Sequence, residues 1–383
     1  GLALRRREGG LPHASAAPGH KTPRLTGCGD STVREVTRVL EEQAIKRGIQ
    51  RNADSIPLNI VSDNSQIRGV VTLDVPTGRI DAIQTKAVIL ATEGHQGLWS
   101  KPSDGPGTGS ALAISAGIDL KGMEITSRHP LTIRDCGIHI PLDVLGSGGR
   151  IRRENGDDVG PEEALEGETC VLDLRQMDAD AKVWFSQTSM RIMDRLGIDI
   201  SKDVIPLSPG VAYTTGGAPS DAQGRVVFQG HTTEGLPAEL WHTGLYAAGR
   251  SAHTGMHGSN ALPGNLLLDD LVSGKAAGEH ASEWATEIKF GGDTQIEEAV
   301  KEESARISSI MRGDGMEVAK FHSKLTSAIS SGSSDDASLA EVRAIKDTGI
   351  SLTDTSSVMN TEMVEALRLV GLASIAEAIL TSG

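Results

Sequence analysis

The stretch from Gly244 to Gly278, GLYAAGRSAHTGMHGSNALPGNLLLDDLVSGKAAG, constrains the fold of this chain more than any other. A short apolar run, Leu245-Tyr246-Ala247-Ala248, ends in Gly249 and reads as a buried strand. A loop rich in Gly, Ser, His and Asn follows, from Arg250 to Pro263. Gly264-Asn265-Leu266-Leu267-Leu268-Asp269 then opens an amphipathic helix that runs to about Trp284. Strand, small-residue loop and helix start are how α/β proteins bring backbone N–H groups to a phosphate or a flat ring. Glycines there let the backbone approach a ligand closely. The pattern alone says that a ligand sits at a helix N-terminus.

With 383 residues the chain is long enough for two or three domains. A net charge of −14 argues against a nucleic-acid partner, which needs clustered Lys and Arg. The three cysteines, Cys28, Cys136 and Cys170, lie far apart with no C-x-x-C spacing. A disulfide framework or zinc site is therefore not indicated, and a reducing cytoplasm is the default. No run approaches the roughly 18 apolar residues of a membrane span. His253 and His257 are four apart, but no Glu follows as in H-E-x-x-H and no third ligand is indicated, so no metal is expected. Trp184, Trp241 and Trp284 read as packing residues. The opening residues carry neither an initiator Met nor a signal-peptide pattern, as in a chain cut from something longer.

In order along the chain, residues 1–30 are Gly, Pro and Arg rich and read as irregular. Asp30 or Ser31 is placed to cap a helix from Thr32 to Gly48, with Val33, Val36, Leu40 and Ala44 on one face. Short runs at Pro57–Ser62, Gly69–Val75 and Arg79–Ile83 predict a β-meander. Ala87-Val88-Ile89-Leu90-Ala91-Thr92 predicts a buried strand, followed by Glu93-Gly94. Gly107 to Ala113 is helix-like, with Ala116-Gly117 beyond it. Met123-Glu124-Ile125-Thr126-Ser127-Arg128-His129-Pro130 ends in a His-Pro pair that serves equally well as structure or as a site. From about 286 to 383 the chain reads as helical, with a Gly/Ser/Asp loop near 331–338.

Several of these segments resemble the succinate dehydrogenase/fumarate reductase flavoprotein family, of which L-aspartate oxidase is a relative. Gly244–Gly249 resembles GLYAAGE in that family. His257-Gly258-Ser259-Asn260, Gly264-Asn265 and Leu267-Leu268-Asp269 resemble HGANRLGGNSLLE, and the 254–258 segment TGMHG is similar to the L-aspartate oxidase version. The 87–92 strand resembles AKAVILATGG, and 107–117 resembles TGDGxAxAxxAGA with Ser110 in place of the Asp. Residues 123–130 resemble MEFVQFHPT, and Tyr213-Thr214-Thr215-Gly216-Gly217-Ala218 resembles HYTMGGI. Gly29-Asp30-Ser31-Thr32 resembles a Gly-Asp-x-Thr element, and 351–382 the family's C-terminal helices.

The resemblance implies an α/β fold: an incomplete Rossmann-like FAD-binding domain at 1–124 and 212–285, an inserted, reduced α+β capping domain at 125–211, and a helical domain at 286–383. It implies FAD as cofactor, with Ala91, Thr92, Gly94, Gly249, Arg250, Asn260, Gly264, Asn265, Leu266 and Leu267 as contacts, and His129 as the residue that meets a substrate carboxylate. The implied reaction removes two hydrogens from adjacent carbons of succinate, or adds them to fumarate. A flavin takes the hydride and a base the proton. An iron–sulfur subunit and a membrane anchor would take the electrons, which puts the chain in the cytoplasm, peripheral at the membrane face.

The departures fall on the substrate side. The family's Thr-Glu pair falls on Pro141-Leu142, its substrate His on Ala212, its substrate Arg on Ala261 and its flavin-contacting Glu on Arg250. The segment bearing its proton-shuttle Arg has no counterpart between Gly156 and Cys170. Removing a bidentate Arg from a carboxylate site costs about 2–3 kcal/mol. Arg150, Arg152 and Arg153 are available as substitutes or as a solvated surface. The family's Gly-x-Gly-x-x-Gly unit, with the His that carries covalent flavin, has no match here, so weak FAD binding and a fragment of a longer flavoprotein are expected. Three readings stand: a partial succinate dehydrogenase or fumarate reductase flavoprotein, a relative with changed chemistry such as L-aspartate oxidase, and a non-catalytic descendant.

Overall fold

The computed structural model of the chain describes residues 2–166, 169–330 and 336–381. It divides into two compact units: Gly1–Arg51 with Arg128–Ala212 and Asn260–Leu267, and Asn52–Ser127 with Tyr213–Ser259 and Leu268–Gly383. This grouping differs from the four segments read from the sequence. The opening residues cluster with 128–212, and the C-terminal helices cluster with the main sheet.

In the first unit the irregular opening leads into helix α1, Thr32–Lys46. Neither expected residue caps it. The Ser31 hydroxyl donates to the Cys28 carbonyl (2.9 Å), and the Asp30 carboxylate accepts from the Thr188 N–H (2.5 Å). Thr32 closes the turn instead, accepting from the Cys28 N–H and donating to the Gly29 carbonyl. The helix buries no residue, and Val33 and Leu40 of its expected inner face are exposed. The core of this unit lies elsewhere. The strands Arg150–Arg153, Asp158–Val159, Cys170–Asp173 and Ile205–Pro206 pair antiparallel, and Ile151, Leu172 and Ile205 pack with Leu131, Ile140, Phe185 and Ile192. The reduced segment therefore still closes an apolar core.

The second unit is built on a mixed six-stranded sheet. Strands β1 (Ser55–Asp63), β2 (Gln66–Asp74) and β3 (Arg79–Gln84) form the expected meander. Every second residue of β2 is buried, the period that one covered sheet face imposes. Strand β4 is short, Val88–Leu90, and Ile89 and Ala91 are exposed, so the run is not the fully buried strand its composition suggested. Strands β5 (Arg225–His231) and β6 (Pro237–Ala247) complete the sheet, whose order is β1-β2-β6-β5 with β3 on β2 and β4 on β6.

Strand β6 gains a second partner along its length. Residues 237–241 pair antiparallel with β5, and beyond a register shift Tyr246 pairs with Arg225 of β5 while Leu245, Tyr246 and Ala247 pair parallel with Val88, Ile89 and Leu90. Between the two halves stands Gly244, with φ +84°. A Cβ at this position would lie 2.5 Å from the Lys86 carbonyl oxygen, so only Gly admits both the turn of the backbone and the approach of β4.

Five helices, α2 (Thr108–Ser115), α4 (Thr294–Arg312), α5 (Val318–Ser330), α6 (Asp336–Thr348) and α7 (Thr361–Thr381), cover the sheet. Leu90 and Leu245 from the sheet share one core with Leu112, Phe321, Leu325, Val342, Leu369 and Leu372. This shared apolar surface is why the C-terminal helices cluster with the sheet. Part of the Gly/Ser/Asp loop expected near 331–338 lies at 331–335, outside the described residues. Helix α3 spans Asn265–Glu287. It turns Ala277 and Ala281 onto Tyr246 and Ala248, while Leu268, Leu271 and Val272 are exposed. Trp241 and Trp284 meet edge to face at 4.9 Å, a packing contact. Among the described residues no helix is long and apolar enough to cross a membrane.

Gly244→Ala should lower the stability of the second unit by about 2 kcal/mol or more, left-handed strain adding to a backbone clash. Urea unfolding followed by tryptophan fluorescence measures it, and an unchanged midpoint would remove the account that Gly244 is what admits β4.

Candidate functional site

In open α/β sheets ligands gather at the carboxyl ends of parallel strands. Here β4 and β6 are parallel neighbours, and their ends are tied together side chain to backbone. The Ala248 N–H donates to the Leu90 carbonyl (2.9 Å). The Ser251 hydroxyl accepts from the Thr92 N–H (2.8 Å) and donates to the Thr92 carbonyl (3.0 Å). The Thr92 hydroxyl lies 3.1 Å from Ser251 Oγ and accepts from the Gly109 N–H at 2.9 Å, which fixes the first turn of α2 to the same point. Ala91, Thr92, Gly94, Gly249 and Arg250 are thus brought into one neighbourhood, and Ser251, which the sequence reading passed over, is its fastener.

The rest of this neighbourhood is small or polar. Ala91 is exposed, so the floor beside it is backbone and a methyl group. Gly249 has φ +55°, and its N–H donates to Ser273 Oγ (2.8 Å), which in turn donates to the Asp269 carbonyl (2.6 Å). Arg250 lies 3.8 Å from Asp270, whose carboxyl is pushed up by desolvation and partly restored by that guanidinium. His257 Nε2 lies 3.0 Å from Asp269 Oδ2, both side chains about a tenth exposed. His253 Nδ1 lies 3.0 Å from the Thr215 carbonyl.

After β4 the chain turns inward at Gly94, where a Cβ would meet Thr214 Oγ1 at 2.4 Å. His95 is fully buried, with its backbone N–H on Thr214 Oγ1 at 3.0 Å. Its Nε2, together with Ser110 Oγ and Thr215 Oγ1, is buried without a hydrogen-bond partner among the described residues. Orphaned buried polar atoms beside an exposed floor of small residues fit a flat, polar cofactor.

The other predicted residues lie in the first unit. Asn260 and Gly264 are exposed, and Asn265, Leu266 and Leu267 are partly buried. Gly264 has φ +82° with Leu25 Cδ2 2.8 Å from where a Cβ would stand, and the Asn265 N–H donates to the Leu262 carbonyl (3.0 Å). His129 Nε2 bonds to the Ile140 carbonyl at 2.7 Å, and its ring meets His139 edge-on at 5.6 Å. Burial lowers its pKa, so the neutral ring donates at Nε2 and keeps a lone pair at Nδ1. Arg150 and Arg152 pair with Asp158, Arg152 also with Asp173, and Arg153 with Glu163, which makes this cluster an ion-paired surface. Beside Pro141-Leu142, Asp143 is pushed up to about 6 by desolvation, against a long bond from Trp184 Nε1 (3.5 Å).

The FAD binding domain family model matches residues 1–267. The flavoprotein subunit of 8-methylmenaquinol:fumarate reductase from Wolinella succinogenes is 27% identical over 347 residues, 82% of this chain and 55% of that protein. The fumarate reductase flavoprotein subunit of Escherichia coli is 25% identical over 437 residues, 100% of this chain and 70% of that protein. The succinate dehydrogenase flavoprotein subunit of Rickettsia bellii is 26% identical over 397 residues, 92% of this chain and 65% of that protein. The chain thus spans 55% to 70% of the length of these relatives. Among solved structures, E. coli quinol fumarate reductase superposes with a TM-score of 0.85 at 23% identity, covering 99% of this chain and 72% of that one. That likeness establishes the shared fold.

The buried His95 imidazole is held down to a pKa of about 4 by desolvation. The unfolded chain takes up its proton near pH 6.5, the folded chain only near 4. Its contribution is therefore complete above pH 6.5 and falls by about 3 kcal/mol as pH drops to 4. Thermal unfolding of the wild type and His95→Gln across that window should show the slope shrinking in the variant.

Proposed function

Because the chain belongs to the FAD binding domain family and is a distant homologue of succinate dehydrogenase and fumarate reductase flavoprotein subunits over most of its length, we propose that it is a flavoprotein oxidoreductase unit that holds FAD at the carboxyl ends of β4 and β6. The observation that carries this reading is the Thr92–Ser251 junction, which fixes both strand ends beside exposed Ala91. FAD, when bound, supplies a two-electron acceptor for a hydride. Thr92 and Ser251 keep the strand ends rigid, Gly94 and Gly249 admit close backbone approach, and Arg250, about a third exposed, offers a cation to an anionic group. Asn260, Gly264, Asn265, Leu266 and Leu267 are carried over from the family resemblance as further cofactor contacts. The architecture in this reading is a Rossmann-like FAD domain with an inserted cap and a C-terminal helical domain.

The substrate of this reading is a succinate- or fumarate-like dicarboxylate, with His129 facing one carboxylate. Electrons would pass to an iron–sulfur subunit and a membrane anchor, with the chain peripheral at the cytoplasmic membrane face. A second reading, a changed substrate as in L-aspartate oxidase or a non-catalytic descendant, is favoured by specific observations. His129 spends its Nε2 on a backbone carbonyl, its burial disfavours the cation, and Pro141, Leu142, Ala212 and Ala261 bear no charge.

Titrating the protein with FAD while following flavin fluorescence, then assaying succinate-dependent dye reduction, separates these readings. Saturable flavin binding with turnover supports the first, and binding without turnover supports the second. Absence of binding removes the FAD reading. Ala91→Trp should weaken FAD at least about tenfold with little effect on the thermal midpoint, because the ring would occupy an exposed floor rather than a core.

A further inference from the structure

The strand-end neighbourhood contains one acid–base arrangement that the family resemblance does not assign. His257 Nε2 and Asp269 Oδ2 are 3.0 Å apart, and each side chain is about a tenth exposed. The bond places the ring N–H at Nε2 and leaves Nδ1 with a lone pair that has no partner among the described residues. The dyad is not remote from the junction. Ser273 accepts from the Gly249 N–H and donates to the Asp269 carbonyl, so two hydrogen bonds link Asp269 to Gly249, two residues beyond the end of β6. The other charges facing this corner are Asp270 on α3 and Arg250 beside it, and these two pair with each other. His129 is bonded to a backbone carbonyl rather than to a carboxylate, and Arg150, Arg152 and Arg153 are ion-paired with carboxylates.

We propose that His257, held by Asp269, is the proton-exchanging residue of this site, standing in for the arginine proton shuttle that the chain lacks. The proposal rests on the FAD reading above. Oxidation of a CH–CH unit breaks two C–H bonds and forms a C=C bond. One hydrogen leaves as hydride, carrying two electrons to the flavin, and the other leaves as a proton to Nδ1 of His257. The resulting imidazolium keeps its Nε2–H on the Asp269 carboxylate, which stabilises the charge in a shielded corner. In the reductive direction Nδ1–H returns the proton. A carboxylate-oriented imidazole with a lone pair turned from its orienter is the arrangement a general base requires.

The test uses the FAD-loaded full chain and the variants His257→Gln and Asp269→Asn. Gln at 257 can still donate to Asp269, so it keeps the clasp and removes the base. Nitrogen-15 NMR of the wild type should show the Nε2–H tautomer at His257, and Asp269→Asn should lose that preference. If succinate reduces the flavin, His257→Gln should lower kcat about 100-fold with KM within about threefold, and Asp269→Asn about tenfold. If FAD binds but succinate does not react, the pH dependence of the flavin midpoint potential is compared. A bend present in the wild type and absent from His257→Gln supports the proposal. FAD bound with His257→Gln matching the wild type in kcat, or in the potential profile where there is no turnover, overturns the proposal and leaves the FAD reading standing. A wild type that retains no FAD overturns the reading and, with it, the proposal.

Discussion

The parallel contact of β4 with the last three residues of β6 is what the second unit depends on. It exists because Gly244 takes a left-handed backbone and leaves room for the Lys86 carbonyl. Upstream of that residue β6 pairs antiparallel with β5, and downstream, after a register shift, it keeps β5 through Arg225–Tyr246 and adds the parallel strand β4, with Leu245, Tyr246 and Ala247 fully buried. The added parallel pairing creates two adjacent carboxyl ends, and Ser251 then bonds them through the Thr92 backbone. A ligand floor at that point is a consequence of topology before it is a consequence of any functional side chain.

The polar chemistry is arranged outward from this junction. The start of α3 presents two carboxylates in sequence, and each meets a different partner: Asp269 meets the His257 ring, and Asp270 meets the Arg250 guanidinium. Partial burial makes such pairs stronger than exposed ones and makes an unpaired member costly, so the loop after β6 is held in place by charge as well as by backbone bonds. Replacement of the family's Glu by Arg250 is balanced by the helix that follows it. The substrate side differs in kind. Positions that the resemblance gives to charged or hydroxyl groups carry Ala, Pro and Leu, and the remaining His129 is fastened to a carbonyl. Attraction for a dicarboxylate would have to come from other groups, which is why cofactor and substrate are separable questions here.

Much of the fold was legible in local pattern. Short β-like runs and turn residues placed the meander, and the Gly-rich junctions placed the C-terminal end of β6 and the start of α2, though not the start of β6 at Pro237. Three features were not legible. Apolar Val33 and Leu40 sit exposed on α1, because helical periodicity marks a face without saying what covers it. Ser31 and Asp30 are good caps by residue type, but tertiary and turn partners at Thr188 and Cys28 captured them. Leu268, Leu271 and Val272 of the amphipathic α3 are exposed, whereas its contact with the sheet is made by Ala277 and Ala281, whose small side chains let the helix approach Tyr246.

The candidate site divides in the same way. Residue types and their order in 244–278 determined by themselves that a strand, a tight loop and a helix follow one another there, because left-handed and close-approach positions admit Gly and little else. They also determined family membership, since ordered motifs survive when single residues change. The tertiary structure alone decided which distant groups meet. Ser251 is 159 residues from Thr92, and the separation that matters between His257 and Asp269 is 3.0 Å rather than 12 residues. Hydrogen bonds act over ångströms whatever the chain length between their partners, so a base and its orienter become visible only once the backbone has folded them together.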